Sequence, residues 1–368
     1  MALNDDRLMT DGILPDARIA ALFEAGAIRA GRALDADQIQ PASLDLRLGP
    51  KAVRVRASFL PGRGHAVSNK LERFGLHTFS LTDGAVLEVG CVYVVELLEH
   101  FALPAGTRAT ANPKSSTGRL DIFTRVLADG GEEFDKVPDG YSGPLFLEIS
   151  PRTFPILVRE GSRLSQIRFR TGRPTLEPAE MSALHAAERL TDAPDASITG
   201  GGIALSIDLS GDAQGLVGYR GKRHTAVVDV DKRGAHRILD FWEPLRLGNA
   251  GDLVLDPDEF YILVSKEAIH VPPAFAAEMT PFDPLVGEFR VHYAGFFDPG
   301  FGNAAAGGAG SRAVLEVRSH EVPFILEHGQ IVGRLVYERM VALPTRLYGT
   351  ALASNYQAQG LKLSKHFA

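Results

Sequence analysis

Cysteine is almost absent: Cys91 is the only one in 368 residues. No intrachain disulfide can form, and a reducing compartment suits the chain. Long apolar runs are missing too. None reaches about 18 residues, so no membrane span is expected. The start, Met1-Ala2-Leu3-Asn4-Asp5-Asp6, lacks the basic and apolar regions of a signal peptide. A cytoplasmic location is the expectation. Basic excess is also lacking. The net charge of -6 argues against a duplex nucleic-acid binder. It leaves room for an anionic small ligand in a locally basic pocket. The Walker and dinucleotide glycine patterns are absent, which excludes the common mononucleotide folds.

What the chain has is a repeat. At an offset of 168 residues, Val86-Leu87-Glu88 falls on Val254-Leu255-Asp256, Tyr93 on Tyr261, Pro104 on Pro272 and Pro113 on Pro281. Leu147-Glu148 falls on Leu315-Glu316, Pro155 on Pro323 and Gly161 on Gly329. Near the start of each copy, Ser43-Leu44-Asp45-Leu46 matches Ser206-Ile207-Asp208-Leu209. One offset held this far indicates a duplicated domain rather than a short-period solenoid. Two domains also fit the length.

Both copies read as β. Val92-Tyr93-Val94-Val95, Phe146-Leu147-Glu148-Ile149 and Phe260-Tyr261-Ile262-Leu263-Val264 are short, β-branched or aromatic, and bounded by turn residues. The pattern predicts a mainly β chain, two copies of a barrel or jelly-roll-like domain with a few short helices. One helix is expected after Asp16 as cap, with Ile19, Leu22 and Phe23 on one face and a stop at Gly26. A second is expected from about Pro178 to Leu190, with Met181, Leu184 and Leu190 inward. The expected boundaries are a first domain over 1–190, a linker over 191–202 and a second domain over 203–368.

Four segments carry the candidate chemistry. Lys114-Ser115-Ser116-Thr117-Gly118-Arg119 offers two serine hydroxyls, amides near a glycine and two cations, a set that suits phosphate. The alternative is a polar surface turn. Val291 to Gly302 contains Asp298-Pro299-Gly300, a turn in its own right, followed by Phe301. Glu316 lies inside the apolar run Ala313-Val314-Leu315-Glu316-Val317. A carboxylate there must be paired, neutral or turned to water. The tail from Tyr348 through Asn355-Tyr356-Gln357-Ala358-Gln359-Gly360 is polar, and a frayed end is its bland reading.

Together these segments resemble the dCTP deaminase family, within the superfamily shared with trimeric dUTP diphosphatases. Pro41-Ala42-Ser43-Leu44-Asp45-Leu46-Arg47-Leu48-Gly49 is similar to the family's opening motif. Lys114 to Arg119 matches its phosphate-binding Ser-Ser-x-x-Arg. Ala294-Gly295 through Asp298-Pro299-Gly300 resembles the hairpin around base and sugar. Val314-Leu315-Glu316 resembles the strand that carries the deaminase glutamate, and the tail resembles the segment that folds over the triphosphate.

The resemblance implies a deamination at C4 of dCTP in which Glu316 is the general base and Ser115 helps to position the water. Burial in an apolar strand would push such a carboxyl toward a usable range. His292 and Ala294 would read the cytosine edge, Asp298 would bind the 3′-hydroxyl and Phe301 would crowd a 2′-hydroxyl, with Val314 lining the site. Lys114, Ser116, Thr117, Gly118, Arg119, Tyr348 and Gln359 would hold the triphosphate, and Mg²⁺ would arrive on the nucleotide. No zinc is implied, since the zinc deaminases use a Pro-Cys-x-x-Cys signature and this chain has one cysteine.

The copies depart from the family differently. At the offset, Ser115 and Ser116 meet Asp283 and Pro284, and Arg119 meets Gly287, so the second copy lacks the phosphate loop. The first copy carries Gly130-Gly131-Glu132-Glu133 and a reordered Pro138-Asp139-Gly140, and reads as having lost the hairpin. A complete set of parts then exists once per chain, in a homo-oligomer or a pseudo-oligomeric fused chain. Phe296 stands where a basic residue is usual, Asn355 where lysine is typical and Phe301 where deaminases tend to have tryptophan; Lys362 or Lys365 could compensate. The alternatives are a dUTP diphosphatase, a bifunctional enzyme that carries dCTP to dUMP, and a non-catalytic nucleotide-binding module.

Overall fold

The structure, a computed structural model, describes residues 11–194, 196–199, 201–247, 251–281, 289–291, 295–319, 321–349 and 360–368. It divides into two compact units. One comprises Met1–Pro174, Ala226–Arg233 and Arg339–Thr345; the other comprises Thr175–Thr225, Gly234–Glu338 and Arg346–Ala368. The fold is mainly β, as the sequence indicates.

The two units order their strands alike. In the first, sheet A runs Ile122–Ala128, Ser142–Pro151, Val92–Ala102, Leu48–Val55, Gly75–Ser80. In the second, sheet A′ runs Phe289–Val291, Ser311–Ser319, Tyr261–Ile269, Leu216–Gly221, Trp242–Arg246. Sheet B of the first runs Lys136–Val137, Thr107–Pro113, Ser165–Thr171, Ser43–Leu46, Ile39–Gln40. Its counterpart B′ runs Phe296–Phe297, Phe275–Pro281, Ile331–Arg339, Gly202–Ser206, Ile198–Thr199. This order is consistent with the sequence repeat. Small ties recur as well. The Glu88 amide donates to the Tyr93 hydroxyl at 3.1 Å, and the Asp256 amide to the Tyr261 hydroxyl at 2.9 Å.

Strand periodicity explains the most costly buried group. Leu97, Glu99 and Phe101 are alternate residues of one strand, so they share a face, and all three are buried. A carboxylate on that face must be paired. Glu99 accepts from Arg47 Nε at 2.8 Å, from the Arg47 amide at 2.9 Å and from Gln38 Nε2 at 2.8 Å. Removing one partner of such a pair costs about 3–5 kcal/mol. In the second unit, residues of A′ and B′ meet in one cluster: Tyr261, Leu263 and Leu315 from A′, and Ile203, Leu205 and Leu335 from B′.

Both expected helices form, with corrections. The first spans Asp16–Glu24, buries Ile19 and Leu22, and is followed by Gly26 at φ 71. Its cap residue is Pro15, and Asp16 instead accepts from the Thr345 amide at 2.8 Å and from the Thr345 hydroxyl. The second spans Pro178–Glu188 and opens with a capping box between Glu177 and Glu180. Met181 and Leu190 are buried in the second unit's core. The sequence reading put this helix in the first domain and a linker at 191–202. Thr175–Thr225 belongs to the second unit, and Ile198–Thr199 pairs with Gly202–Ser206 there. A further helix, Val67–Phe74, was not expected.

The end of the chain also differs from expectation. The bland reading of the tail, a frayed end, does not hold for its last residues: Leu363, Ser364 and His366 are buried. The Phe367 ring packs on Phe241 at 5.4 Å and Trp242 at 5.7 Å. The Gly234 and His236 amides donate to the Lys365 and His366 carbonyls at 3.0 and 3.1 Å. One late phenylalanine among polar residues is a weak pattern, but it fills an aromatic cluster. No described helix is long and apolar enough to cross a membrane.

Candidate active site

The phosphate-loop candidate closes sheet B. Thr107–Pro113 ends at Pro113, whose φ suits the turn out of a strand, and Ser115–Gly118 forms a single helical turn. The Thr117 and Gly118 amides donate to the Lys114 carbonyl at 2.8 and 3.0 Å. Ser116, Thr117 and Arg119 are buried, whereas Ser115 and Lys114 are partly exposed. Ser115 is therefore the serine of this turn that retains solvent access. Lys114 forms an ion pair with Asp45 of the opening motif, which is itself buried at 1% exposure.

The second unit builds the other candidate group around Asp298-Pro299-Gly300. The Phe301 amide donates to the Asp298 carbonyl at 3.1 Å, closing the turn. The Val271 amide donates to the Phe301 carbonyl at 2.8 Å, tying the turn to the segment that follows Tyr261–Ile269. Gly300 has φ 97, and a Cβ there would lie 2.8 Å from the Leu347 Cβ and 2.9 Å from the Tyr348 carbonyl. Only glycine fits both demands. The Tyr348 amide donates to the Pro299 carbonyl at 2.8 Å, and its ring lies 5.7 Å from that of Phe301. The structure thus brings Asp298, Phe301 and Tyr348 together at one turn. Val314 and Glu316 are alternate residues of the strand Ser311–Ser319 and so share a face. They are 5% and 4% exposed. The strand starts where Gly310 donates to the Gly302 carbonyl at 2.8 Å, at the base of the same turn. Phe296, placed where the family usually has a basic residue, is buried beside Glu278 in sheet B′. His292, Ala294, Gln359, Asn355 and the segment with Asp283, Pro284 and Gly287 lie outside the described residues.

The first unit shows what the repeat does with the same parts. The hairpin read as lost is present as backbone. Lys136–Val137 pairs with Thr107–Pro113, and the Leu103 amide donates to the Tyr141 carbonyl at 2.9 Å, as Val271 does to Phe301. Only its sequence was unrecognisable. Glu148 is 1% exposed and opposite Arg125 in the strand register. Its Oε1 accepts from Arg125 Nε at 2.9 Å and Nη2 at 2.5 Å, and its Oε2 has no partner. The guanidinium also donates to Ser58 at 2.6 Å and lies 3.6 Å from the Phe134 ring centroid. The sequence reading missed this pair. The signal was there: a glutamate in an apolar strand with an arginine in the preceding one.

Two family descriptions cover the described units. "2'-deoxycytidine 5'-triphosphate deaminase (DCD) N-terminal domain" matches residues 10–173, and the corresponding C-terminal domain matches 177–367. The chain belongs to the dCTP deaminase family. A solved dCTP deaminase from Agrobacterium tumefaciens is 67% identical, with TM-score 0.89, over 93% of this chain and 99% of that one. "dCTP deaminase, dUMP-forming" of Methanothermobacter thermautotrophicus is 31% identical over 43% of this chain and 79% of its own length. The dCTP deaminase of Halorubrum lacusprofundi is 30% identical over 43% of this chain and 76% of its own. These two relatives each correspond to less than half of this chain.

Proposed function

We propose that the chain hydrolyses dCTP to dUTP and ammonia, with Glu316 as general base. Water attacks C4 of the cytosine as Glu316 takes its proton. That proton passes to N3; the second proton, from the hydroxyl of the C4 adduct, passes to the amine, and the C4–N bond breaks to release ammonia as C4=O forms. Ser115 helps to position the water. Asp298 takes the 3′-hydroxyl, Phe301 excludes a 2′-hydroxyl, and Val314 with the backbone at His292 and Ala294 frames the base. Lys114, Ser116, Thr117, Gly118, Arg119, Tyr348 and Gln359 hold the triphosphate, which brings Mg²⁺ with it as part of the substrate. No zinc takes part in this scheme. The single observation that carries the reading is the buried Glu316 on the strand that rises from the Asp298 turn, where Phe301 and Tyr348 pack. A buried carboxylate suits proton transfer better than surface binding. The test is ammonia release from dCTP by wild type and Glu316→Gln; a variant that keeps wild-type turnover removes the assignment.

A second reading, deamination followed by hydrolysis to dUMP, has a specific support: the Methanothermobacter relative is named dUMP-forming. Following ammonia and pyrophosphate separately divides the two. We further propose a homo-oligomeric or pseudo-oligomeric cytoplasmic enzyme without nucleic-acid partners.

A further inference from the structure

We propose that Arg163 is a further phosphate-contact residue, held with Lys114 in a two-cation subsite by the buried carboxylate Asp45. The inference rests on the phosphate-loop reading above and extends it to a residue outside the loop. Strand pairing creates the cluster. Ser165–Thr171 lies between Ser43–Leu46 and Thr107–Pro113, with Gln166 opposite Asp45 and Ser165 opposite Pro113. The Lys114 amide donates to the Leu164 carbonyl at 3.0 Å, so the turn that carries Arg163 is tied to the start of the loop. Lys114 Nζ and Arg163 Nη1, the latter at 3.4 Å, both point at Oδ2 of Asp45. Its Oδ1 is buried without a partner. One buried carboxylate oxygen therefore faces both cations next to Ser115.

The second partner of Arg163 is replaceable. Its Nη2 lies 2.9 Å from Asp37, whose side chain is 62% exposed. The hydrogen bond from Arg163 lowers the Asp37 carboxyl below its usual range. Exposed pairs of this kind contribute little. A guanidinium fork meets phosphate oxygens with two parallel bonds, a stronger contact. Arg163, 24% exposed against 2% for Asp45, has the solvent access that a ligand requires. A purely structural role would instead make Asp37 and Arg163 equal partners in bracing the turn.

The two readings separate in steady-state kinetics and competition with inorganic tripolyphosphate. Arg163→Ala is expected to raise KM for dCTP about tenfold and the inhibition constant of tripolyphosphate by a similar factor. Turnover should stay within about threefold, since no proton moves through Arg163. Inhibition by unphosphorylated deoxycytidine should not change. Arg163→Gln serves the same measurements should the alanine variant not fold. Asp37→Ala, at an exposed position, should lower both constants by releasing the fork. An unchanged tripolyphosphate constant in the Arg163 variants, or a rise in the Asp37 variant equal to theirs, overturns the proposal. Arg119→Ala is the control. If it weakens tripolyphosphate and Arg163 variants do not, only Arg163 is excluded; if neither does, the phosphate loop itself is misassigned.

Discussion

Glu148 and Glu316 occupy the same place in two copies of one domain, and their surroundings assign them opposite fates. Both lie in the strand next to the centre of their sheet, and both are nearly fully buried. Glu148 faces Arg125 across the ladder, and the guanidinium is covered by Phe134 on one side. A carboxylate oxygen engaged by two nitrogens of one guanidinium is committed to that ion pair. Glu316 stands on the strand that follows the Asp298 turn, with Phe301 and Tyr348 against that turn. The chain at the Arg125 offset carries Tyr293 instead. The matched positions thus carry two buried carboxylates, and only Glu148 has an arginine opposite it at this offset.

The comparison is broken most directly by the matched pair Glu316→Gln and Glu148→Gln. The first should lower ammonia release by about 10²–10⁴-fold, the range for loss of a positioned general base. Nucleotide affinity should be nearly retained. The second should leave turnover within about threefold while lowering thermal stability, because Arg125 loses its counter-charge in a partly exposed setting, roughly 1–3 kcal/mol. Equal loss of turnover in both variants would make the copies functionally alike and defeat the assignment.

The phosphate loop lies in the first half of the sequence and Glu316 in the second. Arg119→Ala should raise KM for dCTP about tenfold to a hundredfold, the value of a charge-assisted phosphate contact. Titration should give one nucleotide per chain, and two would refute the single set of parts. Arg119→Ala and Glu316→Gln chains, refolded together in equal amounts, should regain about a quarter of wild-type activity if parts are exchanged between chains. No recovery would mean that each chain completes its own site.

The tail sharpens the comparison at its end, because the first half has no equivalent of residues 361–368 bound to the second unit's own aromatic cluster. Phe367→Ala should cost about 2–3 kcal/mol, less than a fully buried phenylalanine since its ring is partly exposed. Chain lacking 361–368 should unfold at lower temperature even without nucleotide. Unchanged melting would return this segment to the role of a pure lid.

Much of this was legible in the sequence for identifiable reasons. The repeat and the β pattern report on buried faces, and buried faces are set by local alternation, so Val94, Leu147 and Leu315 announce their strands. The Lys114–Arg119 loop and the Asp298 turn are continuous in sequence, so their chemistry can be read in place. Contacts across the chain could not be. Asp45 reaches Lys114 and Arg163, and Asp16 reaches Thr345, over separations that no local pattern encodes. The helix over 178–188 was read correctly as a helix but given to the wrong unit, because an amphipathic face does not say which core it covers. The first copy's hairpin was missed because Gly140 and Tyr141 keep the backbone turn while the side chains have changed.

The smallest expected effect concerns that hairpin. Asp135 sits at φ 62 beside the Arg125–Glu148 pair and accepts from the Val126 amide at 2.8 Å. Its own amide donates back to the Val126 carbonyl at 2.9 Å. Burial pushes its carboxyl up to about 7, with the Val126 amide and Arg125 acting against burial and Glu148 adding to it. A folded value above the unfolded one means that the folded state binds the proton more tightly. The associated stability is fully present below about pH 4 and is lost as pH rises to about 7. Above that the carboxylate is charged in both states and the loss is constant. Asparagine tolerates positive φ and keeps the oxygen that accepts from Val126. Asp135→Asn should therefore match wild type near pH 4 and melt at a higher temperature near pH 8. The group is only partly covered, so the gain is about 1–2 kcal/mol rather than the full value of the shift. That corresponds to about 2–6 °C in the transition of the first unit. Melting followed from pH 4 to 8 reads the difference between the two proteins, which cancels every other titrating group. A difference that does not grow with pH would show that Asp135 is charged throughout, and that the first copy's turn is held by a carboxylate rather than by its acid.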